Sequence, residues 1–196
     1  MNLPNKLTLF RIILVPIMVI IPLLNIQGAW LGIPYIYWII NLIFIIASIT
    51  DKLDGTIARK TNQVTNFGKF ADPLADKILV LSAMLLLVEF GKLPSWVPII
   101  ILAREFIVSG YRLIAIEQGG NVIAASIYGK IKTVTQIIAI ILAFIDVNSF
   151  GRCLTGGLTG IQLVLNVLQT IMMTVCVLAT IISGVDYLKD GKKFLQ

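Results

Sequence analysis

The length of its apolar runs constrains this chain more than any other feature. Six predominantly apolar stretches, residues 7–24, 35–58, 72–90, 96–118, 130–145 and 158–188, follow one another along 196 residues. A helix of about 20 apolar residues crosses a bilayer, and six such runs are too many and too long for one soluble core. Composition agrees: 13% of the residues are charged, against roughly 25% in a soluble domain. The expected fold class is therefore an all-α integral membrane protein with six transmembrane helices. The opening MNLPNKLTLFR carries no small-residue cleavage site, so the first run is expected to stay as a helix. Only short turn-rich pieces (27–34, 91–94), two polar loops (from 60 to 67 and from 119) and a longer polar segment at 148–157 separate the runs. A single domain over 1–196 is expected.

Charge orients these spans. Six crossings put both termini on one side, and of the 16 Lys and Arg residues only Lys92 and Arg152 fall on the other, leaving fourteen. That bias places both termini in the cytoplasm, in the cell inner or plasma membrane. The net charge of +6 is read as this orientation signal, so no nucleic-acid partner is expected. Histidine is absent, which excludes His bases, His-containing triads and His-ligated metals. Cys153 and Cys176 match no metal-ligand spacing and take no role.

Four of the ten acidic residues, Asp51, Asp54, Asp72 and Asp76, lie within 26 positions at the same-side ends of the second and third spans. A charge inside a membrane helix costs on the order of 2.5–3.5 kcal/mol, and like charges add repulsion. Bound divalent cations are the natural offset. Residues three or four apart share a helix face, so Asp51 pairs with Asp54 and Asp72 with Asp76. All-oxygen ligation selects Mg²⁺ or Mn²⁺. Two such ions suit the clamping of a displacement at phosphorus. Gly55 and Ala58 leave room for a ligand against the backbone, Gly68 lies four before Asp72, and Arg59 offers a planar fork for phosphate.

The spacing D-x2-D-G-x2-A-R-x8-G-x3-D-x3-D, running from Asp51 to Asp76, resembles the signature of the CDP-alcohol phosphotransferase family. The six-span layout of that family covers essentially the whole chain. The resemblance implies displacement of CMP from a CDP-linked donor by an alcohol at an active site on the cytoplasmic side. It implies that Asp51, Asp54 and Asp72 bind two divalent ions, and that Asp76 is the general base and a metal neighbour. It also implies that Gly55, Ala58 and Arg59 hold the cytidine diphosphate, with Gly68 allowing close approach. Asn5-x2-Thr8-x2-Arg11 is similar to the family's amino-terminal element beside the nucleotide, and a homodimer is the implied assembly.

The acceptor is read from basic residues. Arg104 sits eight residues into the fourth span, too deep for a headgroup anchor, and Arg112 follows about 80° around the helix. Glu105 shares the Arg112 face and is placed to pair with it. Lys130 and Lys132 open the fifth span about 200° apart. Headgroup anchoring competes with a pocket role for both. Four cations near a carboxylate cluster point to a phosphorylated acceptor. The string TDKLDGTIARKTNQVTNFGKFADPLADKILV, with AREF and GKIKT further on, resembles family members whose donor is CDP-diacylglycerol and whose acceptor is glycerol 3-phosphate. That resemblance implies Arg104, Arg112, Lys130 and Lys132 around the acceptor phosphate. Inositol phosphate or serine is the alternative acceptor. A cation transporter is the rival of another class, but its site belongs near the bilayer midplane, often between inverted repeats. Here the acids lie toward one interface. Gly156-x3-Gly160 is a candidate for close helix approach.

Overall fold

The computed structural model describes residues 2–60, 66–117 and 127–191; the side chains of 3, 4, 52–67, 69, 70, 112–117 and 189–191 lie outside that description. Among the described residues there are six α-helices: α1 (Leu3–Ile20), α2 (Tyr35–Lys60), α3 (Asn66–Glu89), α4 (Trp96–Glu117), α5 (Ile127–Ile145) and α6 (Gly160–Gly191). Asn2 caps α1, its side chain accepting from the Asn5 amide at 3.3 Å, which satisfies one of the orphan donors of the first turn. Proline in that first turn needs no hydrogen bond. The helix closes through a 3-10 turn, Ile21–Leu24, and a left-handed Asn25.

Among the described residues three helices are long and apolar enough to cross a membrane: Asn5–Leu24, Ile127–Ile145 and Gly160–Leu188. A shorter apolar stretch runs over Tyr35–Asp51. The remaining runs read as spans in the sequence are helical too, and they carry charges within their apolar stretches: Asp72, Asp76 and Lys77 in α3, Arg104 and Glu105 in α4. Those same charges line the site described below. Exposed Leu, Ile, Val and Phe side chains coat α1 and α6, as expected of surfaces that meet lipid rather than water.

Helix boundaries differ from those expected. α2 continues past 58 to Lys60, and α3 starts at Asn66, six residues early. Pro73 therefore lies inside α3 instead of opening it. The segment 27–34 is not a plain turn. Ala29–Trp30 (β1) pairs antiparallel with Ile33–Pro34 (β2) around Leu31 and Gly32, both at positive φ (54° and 77°). Two such residues make the tight hairpin turn whose twist matches the strands. Gly156 and Gly160 do not form a helix-packing pair: both have positive φ and precede or open α6.

The helices run up and down. At one end meet the start of α1, the end of α2, the first half of α3, the middle of α4, the start of α5 and the end of α6. Arg11–Asp51, Thr8–Asp72, Lys77–Ser109, Lys132–Glu105 and Arg104–Ser183 are the contacts that join them. The other end is aromatic. Trp30 stacks near Trp38 (5.2 Å), Tyr37 near Phe90 (4.9 Å) and Trp96 near Phe150 (6.2 Å). Aromatic rings favour the membrane–water boundary.

Lys92, one of the two basic residues expected at that end, is no surface charge. It is 3% exposed and donates to the carbonyls of Ala143 (3.0 Å), Phe144 (3.3 Å) and Asp146 (2.5 Å). Its ammonium sits 3.8 Å from the centre of the Tyr37 ring. The last carbonyls of a helix have no intrahelical partner, and Lys92 satisfies those of α5. Burial pushes its pKa down to about 8, with the Asp146 charge acting the other way. The core between the two ends is built from Phe44, Leu79, Met84, Leu87, Ile140, Phe144 and Met173.

Candidate active site

Buried residues on α1 recur at Asn5, Thr8, Arg11, Val15 and Met18, a three–three–four–three spacing that marks one helix face. Its lower half is polar. The Arg11 guanidinium, fully buried, lies 2.7 Å from the Asp51 carboxylate of α2. The Thr8 hydroxyl donates to Asp72 of α3 in a very short hydrogen bond. A helix that exposes apolar side chains on its outer face thus aims Thr8 and Arg11 at two carboxylates. Asp51 remains 40% exposed at the side chain. It lies within Coulombic reach of both Asp72 and Asp76.

Asp76, one turn after Asp72, lines a cavity of roughly 220 Å³. The polar wall of that cavity comes from four helices: Asp76 and Lys77 of α3, Arg104 and Glu105 of α4, Lys132 and Gln136 of α5, and Tyr187 of α6. Three cations face two carboxylates, so the cavity carries one net positive charge before any ligand enters. Glu105 Oε1 accepts from Lys132 at 2.5 Å and lies 3.3 Å from Arg104. Arg104 also donates to Ser183 Oγ at 2.6 Å and stands 5.6 Å over the Tyr187 ring. Gly184 packs beside it, where a Cβ would lie 3.4 Å from the Arg104 side chain.

The structure therefore joins Arg11 to Asp51 and Thr8 to Asp72, with Asn5 buried on the same face of α1, and lines one cavity with Asp76, Arg104 and Lys132. Gly68 is buried near the start of α3. Lys130 is exposed and is absent from the cavity wall; its position about 200° from Lys132 on α5 accounts for the divergence. The side chains of Asp54, Ala58, Arg59 and Arg112, and the surroundings of Gly55, lie outside the described residues, as does the expected Glu105–Arg112 pair. Sequence reasoning missed Lys77, Gln136, Ser183 and Tyr187. Lys77 follows Asp76 directly and is the one that the motif itself flags. Ser183 and Tyr187, one turn apart on α6, carry no signal without knowing that α6 packs on α4.

Divalent cations fit the donor set in kind. Asp51, Asp72 and Asp76 are hard oxygen ligands within mutual electrostatic range. Among the described residues no three acidic groups form a closed ligand cluster, and the fourth acid of the motif, Asp54, is outside that set.

Comparison with known proteins bears on this end of the molecule. A family model described as CDP-alcohol phosphatidyltransferase matches residues 1–183. The chain is 44% identical to a CDP-diacylglycerol–glycerol-3-phosphate 3-phosphatidyltransferase of Bacillus subtilis, over all of this chain and 97% of that one. It is 40% identical to a probable phosphatidylglycerophosphate synthase of Mycobacterium tuberculosis, over 95% of this chain and 79% of the other. With a Rickettsia felis protein named as the Bacillus one is, identity is 36% over 98% and 97% of the two chains.

Proposed function

The chain belongs to the CDP-alcohol phosphatidyltransferase family, and from that membership we infer that it moves the phosphatidyl group of CDP-diacylglycerol to glycerol 3-phosphate. The products are phosphatidylglycerophosphate and CMP. The names of relatives aligned over nearly their full lengths support the reaction. One observation carries the reading at the level of residues: the last aspartate of the motif, Asp76, opens into the same cavity as Arg104 and Lys132.

In this reading a free hydroxyl of glycerol 3-phosphate attacks the lipid-side phosphorus of the donor. A new P–O bond forms, the bond to the bridging oxygen breaks, and CMP leaves with that oxygen. Asp76 receives the hydroxyl proton. An alcohol is far less acidic than a carboxylic acid, so the transfer follows charge development on oxygen and does not precede it. Arg104 and Lys132 hold the acceptor phosphate at the other side of the cavity, which fixes the hydroxyl near Asp76. Most of the acceleration then comes from positioning and from preset electrostatics. Asp51, Asp54, Asp72 and Asp76 would hold Mg²⁺ or Mn²⁺, which when bound supply the positive charge that offsets the pyrophosphate. Thr8 and Arg11 fix Asp72 and Asp51, while Asn5, Gly55, Ala58, Arg59 and Gly68 surround the cytidine diphosphate. In the same reading six helices span the membrane with both termini and this site at the cytoplasmic side, the level of a lipid pyrophosphate.

Replacing Asp76 by Asn tests the assignment. With radiolabelled glycerol 3-phosphate as acceptor, turnover should fall by about 10²–10⁴-fold, the range for loss of a positioned base, while nucleotide binding is largely kept. Full activity in D76N would remove Asp76 as the base.

A further inference from the structure

Glu105 has no part in the transfer just described, yet it lines the cavity that would receive an anion. A carboxylate there opposes a phosphate by like charge, so its presence needs a reason. Its contacts supply one. Among the described residues two ion pairs converge on a single oxygen: Oε1 accepts from Lys132 Nζ at 2.5 Å and lies 3.3 Å from Arg104 Nη1. The two cations come from different helices and are nearly buried, with side chains 12% and 7% exposed. Two like charges confined in one low-dielectric cavity repel each other. A carboxylate oxygen between them cancels that repulsion and sets their separation before any ligand arrives. Ser183 and the Tyr187 ring then hold Arg104 from the α6 side.

We propose that Glu105 is the positioning residue of the acceptor site, its Oε1 holding Arg104 and Lys132 together as a preformed clamp for the phosphate monoester. This rests on the reading that the cavity takes the acceptor. Preorganised donors bind an anion without being ordered at the moment of binding, so the loss of Glu105 shows in acceptor affinity. It does not touch the reacting atoms, and the donor side of the reaction is spared.

The test is steady-state kinetics on the full-length enzyme in mixed micelles, varying each substrate at saturating levels of the other. E105Q is expected to raise the KM for glycerol 3-phosphate, and the inhibition constant of inorganic phosphate, by about tenfold or more, with the CDP-diacylglycerol KM within about twofold. E105D keeps the charge but withdraws the oxygen, so its acceptor KM should fall between the two. A merely structural role predicts equal losses for both substrates, and that result, or an unmoved acceptor KM, overturns the proposal. If E105Q does not purify, E105D carries the same comparison: an acceptor KM equal to wild type in that variant also overturns it. A wild-type enzyme that releases no CMP with glycerol 3-phosphate overturns the reading of the cavity itself, whatever the variants do.

Discussion

At the scale of single residues, depth and spacing were the informative signals. Arg104 stood out because a guanidinium eight residues into an apolar run has no cheap place to go, and the structure gives it Glu105, Ser183 and Tyr187 as neighbours. Lys130 and Lys132 looked alike in sequence, and only the helical phase separates the exposed one from the buried one. What could not be read was who meets whom. Thr8 and Asp72 lie 64 positions apart, and no local pattern announces their hydrogen bond. That bond gives a prediction. Thr8→Val keeps the shape and removes the donor to a carboxylate, a contact worth about 1.5–3 kcal/mol, so kcat/KM for CDP-diacylglycerol should fall about tenfold or more. The acceptor KM should stay near wild type. A variant with unchanged kcat/KM would show that Thr8 does not position Asp72.

At the scale of elements, the length of the apolar runs located the six α-helices of the described residues, and the errors fall at the ends and in the connections. The polar segments that end α2 and begin α3 read as loop by composition, yet they are helical to Lys60 and from Asn66. Lys92 illustrates the other failure. By sequence it is a loop charge; in the fold it closes the end of α5. Removing it as Lys92→Met leaves buried carbonyls without a donor, which should cost about 1–3 kcal/mol. The pH dependence follows from the direction of its shift. Folding lowers its pKa to about 8 from 10.5, so between those values the unfolded chain binds more protons than the folded one. Stability contributed through Lys92 therefore rises with pH across that window and is flat below about pH 8. Melting temperatures in detergent at pH 7.5 and 9.5 should show this rise in wild type and lose it in the Met variant. An identical rise in both proteins would assign it to another group.

At the scale of the whole molecule, the up-and-down bundle gathers the aspartates of the motif and the cationic cavity at one end, and Trp, Tyr and Phe contacts around the buried Lys92 at the other. Among the described residues three helices are long and apolar enough to span a membrane, and the charges of the site sit inside the apolar runs of α3 and α4. That is why the charges mattered twice in the sequence, once as orientation and once as chemistry. The proposed topology predicts a labelling pattern. In a Cys153→Ser background, Thr155→Cys lies in the loop before α6 and should react with a membrane-impermeant maleimide in intact cells. Lys130→Cys, at the start of α5, should react only after permeabilisation. Labelling of both positions from outside would rule out the orientation.

The account rests on one claim, that the carboxylate end and the cationic cavity together pass a phosphatidyl group to glycerol 3-phosphate. The most direct measurement is CMP release by the purified protein from CDP-diacylglycerol, with glycerol 3-phosphate, inositol phosphate and serine offered in turn. The predicted result is release that depends on glycerol 3-phosphate and matches phosphatidylglycerophosphate one for one. Equal or greater release with either other alcohol, or none with glycerol 3-phosphate, would contradict it.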